Sequence, residues 1–335
     1  MKIIKPSFNE IKNENPQKHI EAIARICYKS EDLITDISHK KMITNLYNRK
    51  HYAMLEHFIF IYKVNEIIAN KLSEEKYIIK TSVPILSNDD KYDIRYVISF
   101  SARSLLDILD KIDDVDKELI INLIEQVVYD YNCDEMFGNR FKKVNNPKMF
   151  NKVDDVEMLT LYEQYYHGWH SIKFICDRGV SHEIVRHRDA SFAQESTRYC
   201  NYSKDKFGQE ITVIDPLMFN NEAELDSIER KRYDIWKKSI NSSENAYFDL
   251  LISGATPQEA RSVLPNSLKT EVVMTARNYE WEHFFDLRCE KVAHPQMREI
   301  AIPTFKYFSN TYDLFNSDNE IINRIKNKIK ESKGE

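Results

Sequence analysis

The sequence predicts an α+β fold, a mixed sheet flanked by helices, with helices outnumbering strands. Three local patterns predict it. Residues 16–29 (PQKHIEAIARICYK) set Ile20, Ile23, Ala24 and Cys27 at the spacing of one helix face. Residues 57–64 (HFIFIYKV) are β-branched and aromatic, the composition of a strand. Thr256-Pro257-Gln258-Glu259 spells a helix start, with a threonine N-cap, proline at the first helical position and glutamate three residues on.

The remaining elements follow in chain order. A second helix covers 39–50, a strand at 94–100 runs into a helix at 101–112, and another helix covers 116–131. Residues 132–160 are rich in Asn, Lys and Asp with little periodicity, which predicts loop or linker. Then come a strand at 169–176, a short helix at 180–186 and a polar stretch, 189–208, too irregular for either period. A strand at 210–215 and a charged helix at 221–253, rich in i,i+4 ion pairs, lead to the helix start at Thr256. A strand at 270–276 and helices at 279–291 and 295–312 close the pattern, leaving 313–335 as a polar tail whose run INRIKNKIKESKGE (322–335) is expected to fray. Residues 96–110 and 272–286 faintly echo each other as strand, turn and amphipathic helix.

The 335 residues suffice for one large domain or two modest ones. A net charge of −5, from 48 Lys+Arg against 53 Asp+Glu, argues against a non-specific nucleic-acid binder. No apolar run approaches the roughly 20 residues of a membrane span, and the start (MKIIKPSFNE) lacks the apolar core of a signal peptide. Five scattered cysteines without a C-x-x-C pair suggest reduced thiols and a cytoplasmic setting. Only six glycines occur, and none forms a dinucleotide-binding or P-loop motif. A phosphate-bearing ligand would therefore have to be held by side chains.

Arginines offer that. In Arg186-His187-Arg188-Asp189-Ala190-Ser191-Phe192-Ala193-Gln194-Glu195-Ser196-Thr197-Arg198, two cations flank a histidine and a third follows ten residues after Arg188. Guanidinium groups pair bidentately with phosphate oxygens and stay charged at physiological pH. A solvated loop whose arginines pair with Asp189 and Glu195 would read the same on chemistry alone.

The run CDRGVSHEIVRHRDASFAQESTRYCNYSK, with R-H-R followed by seven residues, Ser and x-Arg, resembles the signature of flavin-dependent thymidylate synthases. Residues 22–30 (AIARICYKS), 54–60 (MLEHFIF) and the run from Glu259 to Ala301 resemble other parts of that family. The resemblance implies a catalytic domain of 1–65 and 161–312, with 66–160 as an extra segment, expected to be peripheral. From His57 to Arg186 there are 186 − 57 = 129 positions, where members of the family have a much shorter stretch.

The resemblance implies reductive methylation of dUMP to dTMP, with FAD, NADPH and methylenetetrahydrofolate, in a homotetramer with shared sites. It places His57, Ile59, Arg186, His187, Arg188, Gln194, Asn278 and His283 at the flavin. It places Glu183, Arg186, Gln194, Glu195, Ser196, Arg198, Arg261 and Arg288 at dUMP, with Arg198 on the phosphate and Arg288 stabilising the ionised uracil. Ala193 and Glu183 depart from the usual pattern, and Gly254 stands where some members have a lysine.

The close histidine pairs His167/His170 and His182/His187 lack the partners of a zinc spacing, so no metal is expected. Cys200, near the motif, has no base beside it, which makes it a bystander rather than a nucleophile. A hydroxymethylating relative with the same site and a silent nucleotide-binding module stand as alternatives.

Overall fold

The computed structural model describes residues 1–72, 78–86, 92–111, 114–141, 150–216 and 225–333. Two short strands that the sequence reading does not anticipate, β1 (Lys2–Ile4) and β2 (Ser7–Ile11), come first. Helix α1 (Pro16–Tyr28) starts where the Asn15 side chain accepts from the N–H groups of Gln17 and Lys18, and it buries Ile20, Ile23 and Ala24 as their spacing predicts. Helix α2 (Ser38–Asn48) and a 3-10 turn (Tyr52–Glu56) lead to β3 (Ile59–Val64).

From β3 the chain enters the 66–160 segment: α3 (Glu66–Leu72), β4 (Ile79–Leu86), β5 (Tyr92–Ser101), α4 (Ala102–Leu109), α5 (Asp114–Tyr131) and β6 (Phe150–Lys152). The expected linker at 132–160 is more ordered than its composition suggests. A 3-10 turn (Asp134–Phe137) buries Met136 and Phe137 completely, and residues 142–149 lie outside the described residues. The segment is not peripheral. Its strands pair with β3 in an antiparallel sheet ordered β4-β5-β3-β6, and its helices share one core with Ile20, Ile43, Leu55 and Phe60.

The second half runs α6 (Leu161–His167), β7 (Trp169–Asp177), α7 (Arg178–Ile184), β8 (Ser191–Gln194) and β9 (Thr212–Ile214). Helices α8 (Ser227–Ile252) and α9 (Pro257–Ala260) precede β10 (Lys269–Arg277), which runs directly into α10 (Asn278–Arg288). Residues 221–224 of the expected long helix lie outside the described residues. At Thr256 the capping box forms as predicted: the Glu259 carboxylate accepts from both the N–H and the hydroxyl of Thr256, at 2.7 and 2.8 Å. Helix α11 (Pro295–Thr311) completes the anticipated set.

Three expectations need correction. The sheet is not single and mixed. A second antiparallel sheet is ordered β2-β7-β10-β8, and among the described residues parallel pairing occurs only between β1 and β9. The physical reason lies in β3, which turns away into the sheet of the extra segment instead of joining β7. The irregular stretch at 189–208 contains β8, because β10 is buried at seven consecutive positions and needs a strand on each side. The described part of the tail is helical and packed. It forms α12 (Asp313–Asn316) and α13 (Glu320–Lys333), and Ile322, Ile325 and Ile329 join the core of Trp281 and Phe285.

Helix α6 is bolted to the β4-β5-β3-β6 sheet by buried polar contacts. Arg95 donates to both carboxylate oxygens of fully buried Glu163 at 2.9 and 2.7 Å, and the His167 ring lies 2.8 Å from both Ser99 Oγ and Thr81 Oγ1. Burial pushes His167 down to about 3, so the ring is neutral. No described helix is long and apolar enough to cross a membrane.

Candidate functional site

The site is built outward from α7. Asp177 caps this helix by accepting from the Val180 N–H at 2.7 Å. After Ile184 the chain tightens: Arg186 N–H donates to Glu183 O, and His187 N–H to Ile184 O. That turn points His187 inward, at 4% exposure, and leaves Arg186 and Arg188 on the surface. The His187 ring packs against Phe284 at 5.0 Å, and its Nδ1 lies 3.2 Å from Glu280 Oε1.

Arg288, at the end of α10, closes the arrangement. Its Nε donates to His187 Nε2 at 3.1 Å, its Nη1 to Glu183 Oε2 at 3.0 Å and its Nη2 to Glu183 O at 3.1 Å. Three of the five guanidinium N–H groups are thereby fixed, and two stay free for a ligand. Among the described residues neither Arg186 nor Arg188 is ion-paired, so the solvated-loop reading loses its expected partners Asp189 and Glu195. A cavity of about 450 Å³ is lined by Arg186, His187, Arg188, His283 and Arg288. A second, of about 400 Å³, is lined by Ile59, Glu56, Arg103, Arg188, Ser191 and Arg277. The two meet at Arg188 and Asp189.

The other predicted residues fall into separate places. Gln194 donates to Ser181 Oγ at 2.9 Å and Thr270 Oγ1 at 3.2 Å, on the α7 face of the sheet. Glu195, one residue on, points to the opposite face, where Lys269 holds its carboxylate at 2.8 Å. Lys269 also holds Glu271 at 2.7 Å, as does Lys29. Burial works to raise the Glu271 pKa, but the two lysines outweigh it and hold the carboxyl down at about 2. Ser196 is tied by its N–H to Cys27 O at 3.1 Å.

Arg198 is exposed, with its Nε 3.3 Å from Gln258 Oε1 in α9, and Arg261 stands exposed at the end of that helix. Neither lines the Arg288 cavity within one chain. Asn278 is buried, its Nδ2 donating to Gln164 O at 2.9 Å. Gly168 makes room for it, since a Cβ there would sit 2.4 Å from Asn278 Nδ2.

His57 is fully buried, with Nδ1 2.7 Å from Thr275 Oγ1. Thr275 Oγ1 lies 2.6 Å from Ser171 Oγ, which lies 3.0 Å from His19 Nε2. Burial pushes His57 down to about 3 and His19 to about 4, so this four-residue chain is neutral.

Sequence reasoning missed Glu280, Glu56, Ser191, Arg103 and Arg277. Glu280 and His283 share a helix face at i and i+3, a signal that was available, and Glu56 stands beside His57 in MLEHFIF. The contact of Arg103 with Glu56 spans 47 positions and had no local signal. His187, Glu280 and His283 also bring ligand atoms within 4.8 Å of one another, close enough for a cation. His187 already uses one ring nitrogen on Glu280 and the other on Arg288, so a cation would compete with both. None of the five cysteines is in a disulfide, and Cys200 is buried at 1% exposure.

Comparison with known proteins meets this geometry at the same residues. A family model described as thymidylate synthase complementing protein matches residues 116–312, which contain the arginine motif, β10 and α10. The flavin-dependent thymidylate synthase of Pyrococcus furiosus is 32% identical over 126 residues, 38% of this chain and 48% of that protein. The flavin-dependent thymidylate synthase of Geobacter sulfurreducens is 33% identical over 125 residues, 37% of this chain and 49% of that protein. The flavin-dependent thymidylate synthase of Sulfolobus acidocaldarius is 31% identical over 158 residues, 44% of this chain and 56% of that protein. The matched region thus spans about half the length of these relatives. With more than half of the chain inside the family match, and the Arg186–Arg188 turn, β10 and Arg288 all within it, this chain belongs to the thymidylate synthase complementing protein family.

Proposed function

We propose that the chain is a flavin-dependent thymidylate synthase, converting dUMP to dTMP with FAD, methylenetetrahydrofolate as one-carbon donor and NADPH as reductant. The observation that carries this reading is the turn at 186–188, with two exposed, unpaired guanidiniums on either side of a buried histidine that in turn holds Arg288. Unpaired arginines beside two joined cavities suit a ligand with several phosphates, and FAD has that chemistry. When bound, the flavin supplies the reducing equivalents.

The chain's own residues bind and polarise. Glu183 and His187 orient Arg288, and its two remaining N–H groups hold negative charge developing on the pyrimidine. Arg198 and Arg261 take the nucleotide phosphate, while Gln194 and Ser196 complete the polar lining. A homotetramer with shared sites suits Arg198 and Arg261, since both are exposed and outside the Arg288 cavity of their own chain. Cys200 is too buried to attack a ring, and cysteines outside any disulfide fit a cytoplasmic setting.

The test is the absorbance spectrum of the purified chain, followed by incubation with dUMP, methylenetetrahydrofolate and NADPH and mass analysis of the nucleotide. A yellow protein and a methylated product support the reading. A hydroxymethylated product would move it to the related chemistry, and a colourless, inactive chain that takes up no added FAD would refute it.

A further inference from the structure

We infer that the 66–160 segment positions the arginine motif, and that Arg103 on α4 is the residue through which it does so. The inference rests on the reading above, because the ligand it concerns is FAD. Helix α4 begins at Ser101, the last residue of β5, whose hydroxyl accepts from the Ser104 N–H. This start brings Arg103 against the motif. Its Nη1 donates to Glu56 Oε1 at 2.5 Å and its Nε to Asp107 Oδ2 at 3.2 Å. The other oxygen of Glu56 accepts from Ser191 Oγ at 2.9 Å. One carboxylate therefore joins the extra segment to β8, three residues after Arg188.

A second tie lies nearby. Arg277, at the end of β10, donates from Nη2 to the carbonyl and the hydroxyl of Ser99 at 3.3 and 3.4 Å. Ser99 is fully buried in β5, so the segment also holds the second guanidinium of the Arg188 cavity. Glu56, Ser99 and Arg103 all lie outside residues 116–312, so this wall is not part of what the family match describes.

Charge explains why Arg103 matters for a ligand. The cavity is lined by Arg103, Arg188 and Arg277 and by Glu56, Asp107 and Asp189. The three charges of each sign balance, and Arg103 is shared between Glu56 and Asp107, which keeps both carboxylates engaged and leaves Arg188 to meet a phosphate-bearing ligand. Removing Arg103 both loosens Ser191 and exposes two carboxylates to an incoming anion.

The experiment titrates FAD into flavin-stripped protein, following flavin fluorescence, with a thermal melt of each variant. Arg103→Met should weaken FAD binding about tenfold or more, and Arg103→Lys should stay within about threefold of wild type. Combined with Ser191→Ala, the Arg103→Met loss should be smaller than the product of the single losses, because both act through Glu56. If Arg103→Met melts well below wild type, Arg103→Gln takes its place with the same expected outcome. Wild-type FAD affinity in the neutral variant, or losses that simply multiply, would overturn the inference and leave the functional reading standing. A wild-type chain that binds no FAD would overturn both.

Discussion

Arg288 donates from Nε to the Nε2 of His187 at 3.1 Å, which fixes the state of the imidazole. Nε2 must be a bare acceptor, so the ring proton sits on Nδ1, facing Glu280. Arg288 is therefore held from two sides, by a neutral histidine and by Glu183. Lysine has no planar fork with which to reach all three acceptors. Arg288→Lys is expected to lower kcat by about a hundredfold with a smaller change in the KM for dUMP, the pattern of a contact made mainly in the transition state. Steady-state kinetics decide it, and an unchanged kcat would remove Arg288 from the chemistry.

Arg198 should behave differently. It is exposed, with its side chain against Gln258 and the Tyr199 ring, 5.5 Å away. Losing a charge-assisted phosphate contact costs roughly 1.5–3 kcal/mol, so Arg198→Ala is expected to weaken dUMP binding about tenfold to a hundredfold. FAD affinity should hold. Calorimetric titration with dUMP checks the first point and flavin fluorescence the second; wild-type dUMP affinity would exclude Arg198 from the phosphate site.

Acid should unfold the protein in two windows. His19, His57 and His167 are held by burial at about 4, about 3 and about 3, below the ordinary 6.5. Their folded pKa values are depressed, so below 6.5 the unfolded chain binds protons that the folded chain refuses. Stability is unaffected above that value and falls as pH drops from 6.5 toward the folded values, by up to about 1.4 kcal/mol per pH unit for each histidine. Glu271, held at about 2 against an ordinary 4.5, adds a loss only as pH falls from 4.5 through about 2. Urea midpoints should be level from about pH 8 to about pH 7 and fall below, with a shallower fall in His19→Gln. A midpoint that stays level down to about pH 5 would contradict the buried neutral state.

The tail should matter for stability. Ile325 is fully buried in the core of Trp281 and Phe285, and Arg324 and Lys328 on either side pair with Asp286. Ile325→Ala is expected to cost about 2–4 kcal/mol, by lost burial and a residual cavity. Denaturant unfolding measures it, and a loss under about 0.5 kcal/mol would mean that α13 does not pack as a core element.

The elements that were legible in the sequence are those with strong local signals. Asn15 and Pro16 start α1, the capping box at Thr256 forms, and β7, β10 and α10 fall within a residue or three of their expected bounds. What escaped is long-range. A four-residue strand such as β8 exists because β10 needs a neighbour, and nothing in Ser191–Gln194 alone requires it. The tail was different: Ile322, Ile325 and Ile329 carried helical spacing, but the lysines between them masked it. At the site, the arginine turn was readable as a motif. The inward turn of His187 and the pairing of Glu195 with Lys269 depend on strand facing and on partners 101 and 74 positions away.

The chain of contacts from His19 through Ser171 and Thr275 to His57 joins residues 152, 104 and 218 positions apart. Each link closes a long loop, which makes the arrangement slow to assemble and all-or-none once made. A growing polypeptide that has emerged only as far as β7 already contains His57, yet it lacks the threonine that orients the ring. The order of that turn is therefore a late event, arriving with β10 and the helix behind it.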